Sequence, residues 1–576
     1  MEFEALPTLR PTILSTKYVV ASGHYLASMA GSKILERGGN VVDAGVAAGL
    51  CINVLQPDMT NIGGVAPIIL RLAGMPEVVT ISGLGRWPRQ LTLDDYRRRG
   101  DDLSPGMGSA VVPAALDAWV TALDRYGTMT FADVAAPAIE LAENGFPVNR
   151  FLHDNLRKAA ETLAQWPSSR GVFLSRGRAP RVGERLVQRE LARTLRILGE
   201  AEAGVPGRHA GLRAVRDLFY KKDIARQLVT FCGRMGGFLT AEDLAEFQVQ
   251  VEPPVATSYR GYKVYGCGPW CQGPVVLQAL NILEGYDLPA YPHNSAAVLH
   301  RIAEALKAAF ADRHGYYGDP EFTKVPIRGL LSKDYAADWR RRIDLTRAAP
   351  GMPDPGDPWP YEEGRDRSLA AGRVAAAPGP EPPDTSYLCV MDADGNAFSA
   401  TPSDGVLDTP LVPDLGVIIS PRGRQFWLDP DHPSCVAPGK RPRLTPNPGL
   451  VMKDGHVAIA YGTPGLDVQP QAMTQLLVNL IDYGMDVQEA IEAPRIATYS
   501  FPASTHPHPY HPGLLRAESR IPADIREKLA RMGHRVEAWP AYVPQAGALC
   551  AIHRNRDEQT LAGGADPRRV AYAVGW

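Results

Sequence analysis

The sequence predicts an α+β protein in which a helical half is joined by a loose linker to a half of mixed strands and helices. Three observations carry this expectation. Helix-period apolar spacing dominates the chain before residue 347. Residues 347–384 are rich in proline and glycine and show no apolar period. Period-two alternation then begins abruptly at Thr385.

The elements follow in order. YLASMAGSKILERGGNVVDAGVAAGLCINVLQP (25–57) reads as two helices broken at Gly38-Gly39, with Ala27, Ala30, Ile34 and Leu35 on one face of the first. Asn40 and Asp43 fall at the start of the second, where capping and the helix dipole favour them. MTNIGGVAPIILRL (59–72) is a glycine turn entering a buried strand, and 109–165 is mostly helical. YRGYKVYGCGP (259–269) is strand-like, and 295–315 forms a long amphipathic helix ending near His314-Gly315. The segment 347–384 is expected to be exposed and mobile. Beyond it, TSYLCVM and AFSATPS flank DADGN, a hairpin turn of the Asp-Gly kind. Further strands are expected around GVIIS (416–420), PGLVM (448–452) and HVAIAYG (456–462), then a helix over 470–484. No repeat of solenoid period is visible.

Bulk properties exclude several functions. The charge balance, 61 basic against 63 acidic residues, leaves −2, which argues against a nucleic-acid or membrane-surface partner. The first residues, MEFEALPTLRPTILS, are acidic where a signal peptide is basic, and no run approaches the ~18 apolar residues of a membrane span. Seven scattered cysteines do not suggest a disulfide framework, so the expected location is cytoplasmic.

The junction at Thr385 draws the chemistry. Few conventional catalytic pairs stand out, and a mobile linker opening onto a strand-initial threonine suits an N-terminal nucleophile. Cleavage between Asp384 and Thr385 would give Thr385 a free α-amine, whose ordinary pKa near ~8 lets it act as the base for its own hydroxyl. Taken alone, the same stretch favours the plainer reading, a β-favouring threonine that starts a strand after a turn, over the nucleophile.

Other segments bear on that choice. LASMAGSKILERGGNVVDAGVAA (26–48), MTNIGGVA (59–66), RYGTMTFADVAAPAIELAENGFPV (125–148), GGFLTAEDLAEFQVQVEPPVATSYRGYKVYG (236–266), ALNILEGYDL (279–288) and ADRHGYYGDPEFTKVP (311–326) occur in order. DTSYLCVMDADGNAFS (384–399), APGKRPRLTPNP (437–448) and GTPGLDVQPQAMTQLLVNLIDYGMDVQEAIEAPR (462–495) follow them. Together they resemble the gamma-glutamyltranspeptidase family of N-terminal nucleophile hydrolases over nearly the whole chain. The resemblance implies a four-layer αββα fold, treated as one domain, built from both halves of a self-cleaved precursor. The large chain would be 1–384, with 347–384 as linker, and the small chain 385–576. It also implies that Thr385 is the processing threonine and nucleophile, in a Thr-Ser-Tyr setting where many members have Thr-Thr-His. Ser403 matches a second hydroxyl beside it, and Gly465 and Leu466 match the Gly-Gly pair whose amides form the oxyanion hole, provided the leucine keeps the backbone conformation.

The glutamate-gripping positions of the family have changed. Its carboxylate-binding arginine aligns at Leu84, with Arg86 two residues on as the candidate replacement. Its serine pair becomes Leu444-Thr445, its asparagine Gly405, and its amine-binding acid Gln425. Substrate-binding candidates are therefore Arg86, Asp404, Arg422, Arg424, Gln425 and Thr445. Arg422 and Arg424 read equally well as surface charge or as carboxylate binders. The implied activity is transfer of an acyl group from a small amide to water or an amine, without metal or cofactor. The two chains of one precursor would be partners, with a homodimer of them allowed. Alternatives are a true γ-glutamyl enzyme acting on glutathione-like substrates, an acyl C–C bond hydrolase, and an unprocessed ligand-binding homologue. Among remaining clusters, THPHPYHP (505–512) reads as a solvated loop rather than a metal site. CGPWC (267–271) reads as strand-end packing, and Cys389 as core.

Overall fold

Two antiparallel seven-stranded sheets form the centre of the computed structural model, which describes residues 8–99, 106–362 and 385–576. In spatial order the first consists of Tyr572–Gly575, Tyr18–Ser22, Leu388–Asp392, Ala397–Ala400, Ile68–Arg71, Val79–Ile81 and Val251–Glu252. The second runs Ile13–Ser15, Thr560–Ala565, Cys550–Asn555, His456–Gly462, Gly449–Lys453, Tyr262–Gly266 and Val255–Tyr259. Each sheet therefore takes strands from both sides of residue 384, so the two halves of the sequence fold into one another.

The strands are apolar on both faces because both faces are covered. Val19, Ala21, Cys389 and Met391 of the first sheet meet Leu450, Ala460, Cys550 and Ile552 of the second in the layer between them. The alternate residues Val20, Leu388 and Val390 point outward, against helices Tyr25–Glu36, Val41–Leu55 and their neighbours. Tyr461, Ile459 and Val451 of the second sheet pack on helices Gly273–Leu283, Ala296–Tyr316 and Gln469–Ile481. The result is four layers, αββα, as expected. Asn40 and Asp43 form a capping box at the second helix, and Asp43 also accepts from Thr128.

Three local expectations are corrected. GVIIS is no strand: Asp414 and Gly416 take positive φ, and only an isolated Val412–Val417 bridge forms. Val417, Ile418 and Ile419 are instead fully buried loop, with the Ile418 amide held by Asn61. The helix Ala296–Tyr316 is buried around nearly its whole circumference rather than amphipathic, and its charges find partners inside the protein. The described part of the proline-rich segment is packed. Ala348 and Trp359 are buried, and the Gly356 amide donates to Asp312. Residues 363–384, including Asp384, lie outside the described residues. Among the described residues no helix is long and apolar enough to cross a membrane.

Candidate active site

The DADGN turn sets the first pair of residues. The register that joins Leu388 to Ala400 and Cys389 to Ser399 continues in phase to an isolated bridge between Thr385 and Ser403. Both side chains are buried, with Thr385 Oγ1 3.1 Å from Ser403 Oγ. Ser403 is fixed on its other side by Val65, which exchanges backbone hydrogen bonds with it. A turn local in sequence thus places one hydroxyl against the other.

Arg422 lies behind this pair. Its guanidinium donates to Ser403 Oγ at 2.7 Å and to Thr445 Oγ1 at 3.3 Å, and it forms an ion pair with Asp404. Ser420 Oγ donates to the other Asp404 oxygen. Arg422 is 3% exposed, so its reading as surface charge is corrected. Gln425 Nε2 donates to Thr445 Oγ1 at 3.1 Å, and the Thr445 amide donates back to Gln425 Oε1 at 3.2 Å. Five expected residues, Ser403, Asp404, Arg422, Gln425 and Thr445, are therefore joined in one network with Thr385. Gly405 cannot carry the family's asparagine here, because an added Cβ would lie 2.3 Å from the Asp58 carbonyl carbon.

The second component lies at the end of strand His456–Gly462. Tyr387, two residues after Thr385, packs its ring on Gly462, which brings the following turn towards the nucleophile's strand. In that turn Gly465 has φ +128° and Leu466 φ +50°. Leu466 thus holds the left-handed conformation that a glycine would adopt more readily, the condition set for keeping an oxyanion hole. Among the described residues neither the Gly465 nor the Leu466 amide donates a hydrogen bond.

A residue overlooked in the sequence ties the two components together. Gln272 Nε2 donates to the Leu466 carbonyl at 2.8 Å and to the Thr445 carbonyl at 3.0 Å. Its Oε1 accepts from Arg313 Nη1 at 2.8 Å, and Arg313 forms an ion pair with Asp467. Asp467 also accepts from Ser504, through the amide at 2.7 Å and the hydroxyl at 2.6 Å. Burial alone would raise the Asp467 carboxyl, but Arg313 and Ser504 outweigh it and hold it below the usual range. The signal for Gln272 was its glutamine directly after CGPWC, a segment read only as packing. Packing it is: Cys267, Trp270 and Cys271 form an apolar cluster with Val65, Leu84 and Leu444. Leu84 and Leu444 thus form part of one apolar wall.

The structure does not bring two of the candidate arginines into the network. Arg86 pairs with Glu321 at 2.9 Å and donates to the Gly439 carbonyl. Arg424 pairs with Asp408 at 3.0 Å. The histidine-rich segment is also corrected, from a solvated loop to a partly buried one. His508 is buried and stacks on Trp427 at 3.8 Å between ring centroids, and His506 stacks on Phe426 at 5.2 Å. Burial pushes His508 down to about 3, so it is neutral at pH 7. Among the described residues, one group has metal-like spacing, His300, Glu304 and His534. There Lys307 Nζ, 2.7 Å from Glu304, supplies the cation.

An αββα sandwich with a buried hydroxyl residue heading a central strand, beside a turn with two undonated amides, defines the class of N-terminal nucleophile hydrolases. A family model described as gamma-glutamyltranspeptidase matches residues 27–576, and the chain belongs to that family. It is similar to the glutathione hydrolase-like YwrD proenzyme of Bacillus subtilis (strain 168), at 36% identity, covering 98% of this chain and all of the relative. The acylase ACY 1 proenzyme of Pseudomonas sp. (strain SE83) is 34% identical, covering 95% of this chain and 91% of the relative. The crystal structure of cephalosporin acylase from Bacillus halodurans superposes with a TM-score of 0.85 at 30% identity, covering 100% of this chain and 99% of that one. The protein is thus an enzyme of the gamma-glutamyltranspeptidase-like amidohydrolase kind.

Proposed function

We propose that the chain is a single-domain proenzyme that cuts itself between Asp384 and Thr385, giving chains of 384 and 192 residues. The relatives are named proenzymes, which supports the reading. The observation that carries it is the buried Thr385–Ser403 hydroxyl pair at the head of a central strand. In the precursor, Thr385 Oγ adds to the Asp384 carbonyl, the amide nitrogen departs to leave an ester, and water hydrolyses the ester. The freed amine of Thr385 then serves as base.

In the mature enzyme, Thr385 Oγ adds to the substrate amide carbon while its proton passes to the α-amine. The developing oxyanion takes hydrogen bonds from the Gly465 and Leu466 amides. Collapse expels the leaving amine with that proton, and water or a second amine resolves the Thr385 ester. Ser403 orients the nucleophile, with Arg422 fixing Ser403 in turn.

The acyl group we assign is one with a single carboxylate and no amine, such as glutaryl. A γ-glutamyl group carries both charges, and an ammonium buried without a carboxylate partner costs several kcal/mol. Gln425 is neutral where an acid would be needed, and Leu84 and Leu444 lie in an apolar cluster. The test joins processing to labelling. Purified protein should yield a fragment beginning Thr-Ser-Tyr-Leu-Cys, and Thr385→Ala should remain whole. A mixed panel of activated amides should leave one acyl group on Thr385 by mass spectrometry. Cleavage persisting in Thr385→Ala, or acylation of another residue, overturns the proposal.

A further inference from the structure

The three arginines singled out in the sequence as carboxylate anchors are all occupied by the protein's own acids: Arg86 by Glu321, Arg422 by Asp404 and Arg424 by Asp408. A fourth, Arg443, forms no ion pair among the described residues. It stands in the extended segment between Pro442 and Pro446, directly before Leu444 and two residues before Thr445. Leu444 turns into the apolar wall with Leu84 and Trp270, while Thr445 joins Arg422, Gln425 and Gln272. Arg443 therefore belongs to the segment that links the apolar wall to the nucleophile's network.

Its surroundings do not neutralise it. Arg443 is 3% exposed, and its guanidinium donates to the Arg313 carbonyl at 3.4 Å and Ser504 Oγ at 3.3 Å. Both bonds are long, and both acceptors are uncharged. The nearby acid, Asp467, is taken by Arg313 and Ser504. His432 and His508 face Arg443 and are kept neutral by burial, and burial likewise keeps the Tyr317 phenol protonated. Among the described residues two guanidiniums thus share one carboxylate, leaving one positive charge in excess. Burial, with the neighbouring Arg313, pushes Arg443 down to about 9, so it stays cationic at pH 7. A buried guanidinium without a counter-ion is expensive, and such a cost is characteristic of a site completed by its ligand.

Resting on the amidohydrolase reading above, we infer that Arg443 is the anion anchor of the substrate pocket and binds the distal carboxylate of the acyl group. A planar guanidinium with little internal neutralisation suits bidentate capture of one carboxylate. The apolar wall of Leu84, Trp270 and Leu444 suits the methylene chain between that carboxylate and the scissile carbonyl.

The test compares glutaryl and pentanoyl anilides of one amine on processed wild type, Arg443→Gln and Arg443→Lys, with glutarate binding measured separately by calorimetry. For glutaryl anilide, Arg443→Gln should lose about a hundredfold in kcat/KM, and Arg443→Lys should recover part of it. Pentanoyl turnover should change less than about threefold, and glutarate binding should disappear in Arg443→Gln. Equal losses on both substrates would make Arg443 structural and overturn the inference. If wild type prefers pentanoyl and acylates Thr385, the function stands and the anchor falls. If neither compound acylates Thr385, the function falls, and calorimetry alone decides the anchor.

Discussion

The buried helix Ala296–Tyr316 contributes to two clusters of charge, and they differ in how the charge is balanced. In one, Lys307 lies 2.7 Å from Glu304 and 2.8 Å from the Ala349 carbonyl, while the Ala349 amide returns a bond to Glu304. His300 and His534 complete it, their facing nitrogens 2.9 Å apart, with His300 Nε2 donating to the Asp344 carbonyl. Cation and anion are equal in number, and the group closes on itself against the root of the proline-rich segment. In the other, Asp467 is ion-paired to Arg313, and its field also reaches Arg443, beside the turn of Leu466. Neutral clusters hold elements together; an unbalanced one leaves interaction energy available to a ligand. The comparison explains why metal-like spacing around His300 does not itself indicate a binding site, and why a segment with no motif does.

The largest expected effect lies in the balanced cluster. Removing one partner leaves the other charged and buried, so Lys307→Met or Glu304→Gln should each cost about 3–5 kcal/mol. The double change Lys307→Met with Glu304→Gln should recover most of that loss, because no lone charge remains. Denaturant midpoints of the processed enzyme provide the measure, with kcat/KM per folded molecule unchanged. Additive losses in the double variant would show that the two side chains act by packing rather than by mutual neutralisation.

The unbalanced cluster should respond with the opposite sign at one position. Arg313→Gln removes the ion pair to Asp467 and the hydrogen bond to Gln272, and should lower ligand-free stability by about 2–3 kcal/mol. Arg443→Gln removes an uncompensated charge and should raise it by about 1 kcal/mol. Saturating glutarate should then stabilise wild type and leave Arg443→Gln unmoved. If Arg443→Gln destabilises as much as Arg313→Gln, the two clusters do not differ in kind.

What the sequence made legible is what short-range chemistry decides. The DADGN turn fixed the hairpin register, and through it the pairing of Thr385 with Ser403. Asn40 and Asp43 announced a helix start because their cap is three residues long. The family resemblance supplied the fold and the Gly465-Leu466 turn, and φ +50° at Leu466 shows how leucine fits there. Long-range pairing was hidden. Nothing local says that Arg86 meets Glu321, 235 residues away, or that Arg443 forms no ion pair of its own among the described residues. GVIIS misled because an apolar run looks the same in a buried loop as in a strand. The proline-rich stretch misled because its Trp359 supplied a buried anchor that composition does not weigh.

The smallest effect is one of pH, and it probes both clusters through a histidine in each. His534 adjoins Lys307, and His508 lies near Arg443; burial, aided by those cations, pushes each down to about 3. Between about 3 and the ordinary value of ~6.5 the unfolded chain binds a proton that the folded chain refuses. Stability therefore rises with pH across that window and is lost as pH falls, by at most about 1.4 kcal/mol per unit for each histidine. Asp58 and Asp312 work against this slope, since burial raises each to about 6 and their folded forms hold protons as acid is added. The histidine share must be isolated by difference, comparing wild type with His534→Gln and His508→Gln at pH 6.5 and 5.5. Each variant should flatten the loss by about 1 kcal/mol over that step. Glutarate should distinguish the two sites: a carboxylate on Arg443 offsets the charge facing His508 and leaves His534 unaffected. In saturating glutarate the His508 contribution should therefore shrink while the His534 contribution stays. Equal changes at both histidines would mean that glutarate does not bind at Arg443.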